Sequence, residues 1–241
     1  MGSLSAAELL TLWEQGLSQP DYQRALLLLA AAYPEEGWPQ LARLSLGQRD
    51  GLLLNLREQL FGPRIVSVAT CPHCGDRLEL VFTAADVRQP AADLPLTVET
   101  AGYRVDFRLP NSEDLAAIAS QVDLTAATRQ LRQRCLQSAH YQAQPVPTTD
   151  LPQSVTAAIL AQMEAADPQA DIRLALDCPA CAHHWQLVFD VVSFFWAELT
   201  VWAKRLLQEI HLIATAYGWP EADILALSSQ RRQLYLEMIY G

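Results

Sequence analysis

Four of the five cysteines in the chain fall into two copies of one short pattern. The first copy, C-P-H-C, spans Cys71 to Cys74, and the second, C-P-A-C, spans Cys178 to Cys181, about a hundred residues later. A C-x-x-C turn presents two thiolates to one ion, and four thiolates satisfy a tetrahedral zinc ion. The two copies together therefore predict one zinc ion per chain, with these four cysteines as its ligands.

The residues that follow each copy repeat as well. Seven, nine, ten and eleven residues after the first cysteine come Leu78, Leu80, Val81 and Phe82 in one copy, and Trp185, Leu187, Val188 and Phe189 in the other. The chain thus contains a degenerate repeat, and we expect its two members to meet.

The ligand count decides what kind of zinc site this is. With four cysteines the ion has no open position for water or substrate, so the site is predicted to be structural, with a binding free energy on the order of 10 kcal/mol coupled to folding. A redox-active dithiol is the main alternative for a C-x-x-C, but that chemistry favours a helix N-terminus, and here strands are predicted on both sides of each copy.

Three histidines lie beside the cysteines and are alternative ligands: His73, His183 and His184. Since four thiolates are available, we predict that these histidines are polar neighbours instead. The fifth cysteine, Cys135, shares a helix face with Leu131 and Ala139, and it is predicted to be a small buried hydrophobic residue.

Composition narrows the classes of function. The chain has 241 residues, of which 51% are hydrophobic, and a formal net charge of −10. This charge disfavours nucleic acids and anionic membranes as partners. Because the N-terminus shows no charged start followed by an apolar segment, and apolar stretches are too short to span a bilayer, we expect a cytoplasmic protein. The sequence also lacks the common nucleotide-binding and hydrolase motifs, so we predict no enzymatic activity.

The elements that must position the cysteines follow from hydrophobic periodicity. Alternating, β-branched sequence predicts hairpins at 65–82, 96–109 and 171–190, and the cysteine turns form the tips of the first and the third. Helical spacing predicts two helices within 5–32 and further helices at 45–61, 112–119, 124–140, 154–164, 194–217 and after 228.

These elements predict an α+β fold that is mostly helical, with two β-hairpins forming a split four-cysteine zinc ribbon. No clear linker appears, so we predict one integrated domain over 1–241. Its predicted parts are N-terminal helices at 1–62, ribbon halves at 63–83 and 171–190, an inserted hairpin and helices at 84–170, and C-terminal helices at 191–241.

The helix predicted at 194–217 carries an apolar stripe at spacings of three and four residues: Phe195, Leu199, Trp202, Leu206, Ile210, Ile213 and Tyr217. The pattern leaves open whether the stripe docks on the protein's own core or on a partner. Near the end of the chain, Arg231 and Arg232 form a small basic spot. It is predicted to be an exposed helix face, with contact to an acidic partner as the alternative.

Three segments resemble one family: 46–50 (LGQRD) with 56–63 (LREQLFGP); the paired C-P-x-C turns with His184-Trp185 and Phe189-Asp190; and 217–225 (YGWPEADIL) with 231–236 (RRQLYL). The chain resembles the T-even-type phage baseplate hub assembly chaperone family, which occurs with phage-tail-like contractile injection systems. The ending is the most family-specific part.

The resemblance implies a non-enzymatic protein that helps to build the hub or baseplate of a contractile tail, with baseplate or hub proteins as its partners. It implies no binding residues. Two alternatives stay open: a permanent structural component of the baseplate, and a zinc-ribbon regulator that binds nucleic acid, which the acidic charge disfavours.

Overall fold

The computed structural model describes residues 4–90 and 92–240. Its helices are α1 (Ala6–Gly16), α2 (Asp21–Ala32), α3 (Trp38–Arg43), α4 (Leu46–Phe61), α5 (Ser112–Ile118), α6 (Leu124–Cys135), α7 (Gln153–Ala166), α8 (Val191–Tyr217), α9 (Glu221–Leu225) and α10 (Ser229–Tyr240). Its strands are β1 (Arg64–Thr70), β2 (Arg77–Thr83), β3 (Thr97–Thr100), β4 (Tyr103–Phe107), β5 (Leu136–Tyr141), β6 (Gln144–Pro145), β7 (Arg173–Asp177) and β8 (His184–Val188).

The fold class is α+β and mostly helical, which confirms the sequence prediction, and the two cysteine turns lie at the tips of hairpins β1–β2 and β7–β8. The division into segments stays a prediction, and residues 1–3, 91 and 241 of those segments lie outside the described residues. No helix among the residues described has the length and apolar character needed to cross a membrane.

The main hydrophobic core lies between α1, α2, α4 and the first half of α8. Local signals define where these helices begin and end. Ser5 and Ser45 accept hydrogen bonds from the third residue of α1 and α4, respectively, and each helix begins with a capping box. Helix α4 ends at Phe61 and is followed by Gly62, whose φ of +83° suits glycine. The chain then enters the first ribbon hairpin directly from the core.

The apolar stripe of α8 packs inside the fold. Phe195 and Leu199 are fully buried in the main core, while Leu206, Ile210 and Ile213 are buried in a smaller core with α9 and α10. The stripe therefore joins two parts of the protein's own interior, and most of it is not available to a partner.

The inserted region differs from its prediction at residues 136–140, where a helix was expected and β5 is found. Helix α6 ends at Cys135 because the carbonyl of Cys135 accepts a hydrogen bond from the Arg108 N–H, at 2.9 Å, and the chain then pairs with β4. This pairing is non-local, so it overrides the local helical spacing. The result is a four-stranded antiparallel sheet in the order β3-β4-β5-β6.

The sheet and α7 enclose a second core, which includes Val105, Phe107, Cys135, Val155 and Ile159. Cys135 is buried, as predicted, although it lies at the end of a helix. Burial raises the pKa of its thiol to about 11, so the thiol stays protonated at neutral pH.

Arg232 does not lie on an exposed helix face, which makes that prediction wrong for one of the two arginines. The Arg232 side chain donates to Glu209 of α8 at 3.2 Å and to the carbonyl of Leu227 at 2.8 Å, and the residue is only 5% exposed. Its partner lies 23 residues earlier in the chain, so nothing in the local sequence indicates the ion pair. Arg231 is exposed.

Candidate metal centre

Two antiparallel hairpins carry the four cysteines. In β1–β2 the last strand pair before the turn is Thr70 opposite Arg77, and in β7–β8 it is Asp177 opposite His184. The turns start one residue after these pairs, so each cysteine turn extends directly from the end of a ladder. The strands thus fix the direction in which each turn points.

The two turns have the same backbone hydrogen bonds. The Cys71 N–H donates to the carbonyl of Asp76 at 2.8 Å, and the Cys178 N–H donates to the carbonyl of His183 at 2.9 Å. In each turn, the N–H of the residue after the second cysteine donates back to the carbonyl of the first cysteine, at 2.9 Å and 2.8 Å. The sequence repeat is therefore also a structural repeat.

The fold brings the four cysteines together. The Sγ atoms of Cys71 and Cys181 are 3.8 Å apart, those of Cys74 and Cys178 are 3.5 Å apart, and all four lie within 4.8 Å of one another. A Zn–S bond of about 2.3 Å in a tetrahedral site puts neighbouring sulfurs roughly 3.8 Å apart. The sulfur cluster therefore has the size that a tetrahedral four-thiolate zinc site requires, and each half of the repeat supplies two donors.

The pKa values of the Cys71 and Cys181 thiols are shifted in opposite directions. Burial opposes ionisation of Cys71, but hydrogen bonds from the backbone N–H groups of Cys74 and His73 and from neighbouring thiols lower its pKa to about 7. A hydrogen bond from the His183 N–H favours the Cys181 thiolate, but burial and the other three sulfurs raise its pKa to about 12. Four thiolates this close repel one another, so full ionisation requires a bound cation.

Among the residues that the structure describes, the group of candidate ligands consists of the four cysteines, and the three neighbouring histidines lie outside it. His73 stacks on His183 with ring centroids 5.4 Å apart, and His183 in turn stacks on Trp185 at 6.1 Å. The Nδ1 atom of His184 is hydrogen-bonded to the Asp177 carboxylate. The stack of His73 on His183 joins the two turns, whereas the other two contacts lie within the second hairpin. These positions fit the prediction that the histidines are neighbours of the site.

The bases of the hairpins also meet. Phe82 and Phe189, which occupy equivalent positions in the repeat, pack edge to face with centroids 5.3 Å apart. Phe189 also packs on Phe194 at the start of α8. The repeat is therefore joined at both ends, by sulfurs at the tips and by aromatic rings at the bases.

A buried arginine anchors the first hairpin, and no sequence pattern predicted this role. Arg57 of α4 is 2% exposed and donates to the carbonyls of Gly62 and Arg64 at 2.6 Å and 2.8 Å. It also forms a bidentate pair with Glu198 of α8, at 2.8 Å and 2.6 Å. The first residues of β1 are thus fixed to the helix that follows β8. Gly62 and Arg64 are near Arg57 in the sequence, whereas only the tertiary structure brings Glu198 to it.

The family model described as T4 bacteriophage base plate protein matches residues 5–196, which include both hairpins and all four clustered cysteines. The chain belongs to this family. No curated protein and no solved structure matches the chain. The baseplate family match ends within α8, so the segments 217–225 and 231–236 that contribute to the resemblance lie beyond the matched range. The resemblance to phage baseplate proteins is therefore confirmed.

Proposed function

We propose that this baseplate protein is a non-enzymatic assembly chaperone for the hub of a contractile tail or a phage-tail-like injection system, and that it acts in the cytoplasm. The single observation that carries the proposal is the family match over residues 5–196. The narrower role, a chaperone for the hub, follows from the resemblance described above. Its partners are baseplate or hub proteins.

The cluster of Cys71, Cys74, Cys178 and Cys181 binds one structural zinc ion in this proposal. Sulfur donors suit zinc, and their spacing fits a tetrahedron. Four protein ligands complete the coordination of the ion, so the metal contributes to folding and leaves no position for a substrate. This supports a role in shaping the protein rather than in catalysis.

The composition of assembling and mature particles tests the chaperone role. We expect the tagged protein to co-purify with a hub component from cells in which tails are being assembled, and we expect mature tails to lack it. Quantitative mass spectrometry of both samples measures this. Stoichiometric amounts in mature particles contradict the chaperone role and identify the protein as a permanent baseplate component. Failure to co-purify with any baseplate protein, together with absence from mature particles, contradicts both roles.

A further inference from the structure

The exposed side of hairpin β1–β2 is unusually apolar. Val66 lies directly opposite Val81, and Val68 is the next residue of β1 on the same side. Their side chains are 44%, 53% and 51% exposed, respectively. The alternate residues, such as Ile65, point into the protein, as the alternating burial along both strands shows. Three β-branched side chains thus form one exposed strip, which has the character of a protein contact surface.

The equivalent side of β7–β8 provides an internal comparison. Its strands have the same alternating burial, but the exposed residues are mostly polar: Arg173, Ala175, Asp177, His184, Gln186 and Val188. Two of these charged groups are already paired, Arg173 with Asp171 and Asp177 with His184. Val188 is equivalent to Val81 in the repeat and is also exposed, whereas Arg173 and Ala175 occupy the positions of Val66 and Val68. A solvent-exposed hairpin of this repeat therefore does not require valines at these last two positions.

Arginines lie at both ends of the valine strip. Arg64 lies two residues before Val66 and on the same side of the hairpin. Arg77 lies opposite Thr70 at the other end of the strip. Neither arginine forms an ion pair with any residue that the structure describes. Glu79, opposite Val68, is an acidic residue on this side. The side is locally positive on a protein whose net charge is −10.

The apolar stripe of α8 does not provide a surface for a partner. The long apolar stripe of α8 is buried within the protein's own cores. A partner that recognises exposed apolar groups must therefore bind elsewhere, and the first hairpin offers such groups within the range that defines the family.

We propose that Arg64, Val66, Val68, Arg77 and Val81 form a docking surface, the valine face, for an aliphatic segment of another baseplate protein that carries carboxylates at its ends. The inference rests on the proposed function, because it takes the partner from the baseplate. The valines remove apolar area from water on binding, and the two unpaired arginines complement the acidic ends of the segment.

Charge argues against a second copy of this chain on the valine face. A two-fold contact between two valine faces would place arginines near arginines, and it would join two chains that each carry a net charge of −10. An acidic partner segment meets no such repulsion at this face.

Direct binding measurements with matched variants test the valine face. The probes are the baseplate subunits of the same particle, each purified alone and titrated into the full-length zinc-loaded protein by calorimetry. The triple variant Val66→Thr, Val68→Thr, Val81→Thr keeps β-branched side chains and so keeps the strands. We expect it to bind the partner subunit at least ~10-fold more weakly than the wild type. The matched control Val188→Thr, on the second hairpin, is expected to bind like the wild type.

A second pair of variants tests the charges. Arg64→Glu with Arg77→Glu is expected to weaken binding at least ~10-fold and to abolish the loss of affinity that salt causes in the wild type. Arg129→Glu with Lys204→Glu is the control. These two residues are also exposed and form no ion pair with any described residue, and their reversal makes the same change in net charge. Zinc content and circular dichroism verify that all variants are folded.

Three outcomes overturn the proposal in distinguishable ways. If the wild type binds a baseplate subunit and both hairpin variants bind it equally well, the valine face is wrong and the proposed function stands. If sedimentation shows a dimer that only the valine variant loses, the occupant is a second copy. If the wild type binds none of the subunits, the proposed function fails and the docking proposal fails with it.

Discussion

Hairpin β1–β2 has strands of seven residues, whereas hairpin β7–β8 has strands of five, and the two are anchored differently. Arg57 holds the base of the first through the carbonyls of Gly62 and Arg64. The second runs directly into α8, whose first turn Asp190 caps through the Ser193 N–H. Yet the two cysteine turns have matching backbone hydrogen bonds.

The comparison of the two hairpins indicates which parts of the repeat the cysteine cluster requires. The turns are alike because both must present two sulfurs to one position. The strand lengths, the anchors and the outer sides differ, so the matching geometry of the turns does not depend on them. Each of the following predictions tests one level of this comparison.

The largest effect on stability is expected at the cysteine turns, where the two hairpins are equivalent. Cys71→Ser with Cys74→Ser, and Cys178→Ser with Cys181→Ser, each remove half of the ligands. We expect both variants to lose the zinc and to unfold, because a binding free energy on the order of 10 kcal/mol is coupled to folding. Metal analysis and thermal denaturation measure this.

Cys135→Ala is the control for the cysteine variants. It removes the one cysteine outside the cluster and is expected to retain one zinc ion per chain. If either double variant also retains one zinc ion per chain, the hairpins are not equivalent halves of one site. Wild-type protein that contains no zinc when purified under reducing conditions contradicts the metal assignment itself.

A smaller effect on stability is expected at the Arg57 anchor, and it is expected to be larger in the first hairpin than in the second. Arg57→Met leaves two carbonyls and Glu198 without their donor, and we expect it to destabilise the protein by about 3 kcal/mol. Hydrogen exchange is expected to rise more in β1–β2 than in β7–β8, because Arg57 contacts only the base of the first hairpin directly. An equal rise in hydrogen exchange in the two hairpins would contradict separate anchoring.

Arg88→Met is the matched control for this anchor. Arg88 also pairs with a carboxylate, that of Glu58, but both side chains are more than a third exposed. An ion pair in that environment contributes at most about 1 kcal/mol. A cost for Arg88→Met as large as that for Arg57→Met would show that burial of the guanidinium is not the reason for the larger effect.

The smallest effect on stability is expected at the residue that follows the second cysteine of each turn. After the second cysteine, the first turn has Gly75 with φ +79° and the second has Ala182 with φ +56°. Alanine in this region costs roughly 1 kcal/mol, so Ala182→Gly is expected to stabilise and Gly75→Ala to destabilise by about that amount.

Chemical denaturation of the zinc-loaded protein measures both glycine exchanges. No atom lies within 4 Å of a Cβ built on Gly75, so the effect of Gly75→Ala reports backbone conformation without a steric clash. Shifts of the same sign for the two exchanges would show that the turns are not conformationally equivalent.

The sequence predicted the parts of the fold that local patterns determine. The C-P-x-C spacing and the alternating strands around it indicated both hairpins, because turn chemistry and strand periodicity act over a few residues. Strand β5 was missed because its conformation depends on pairing with β4, and Arg232 was misplaced because its partner is Glu209 of another helix.

The site was predictable to a similar extent. Cys71, Cys74, Cys178 and Cys181 were identified from their types and spacing, and the repeat indicated that they meet. The role of Arg57 was not predictable, because its carboxylate partner, Glu198, lies 141 residues away in the sequence. The valine face required the structure as well, since alternation places Val66 and Val68 on one side without indicating which side faces the core.

The separation of the two cysteine turns also has a consequence in time. Cys74 and Cys178 are 104 residues apart. At roughly 5–20 residues per second of synthesis, the first pair of thiols is made about 5–20 s before the second. Strands β3–β6 and helix α7, which share their own core, are synthesised in that interval. A chain that stops before Cys178 holds only half of the four clustered cysteines, so the proposed four-thiolate coordination would mark chains whose synthesis has passed this point.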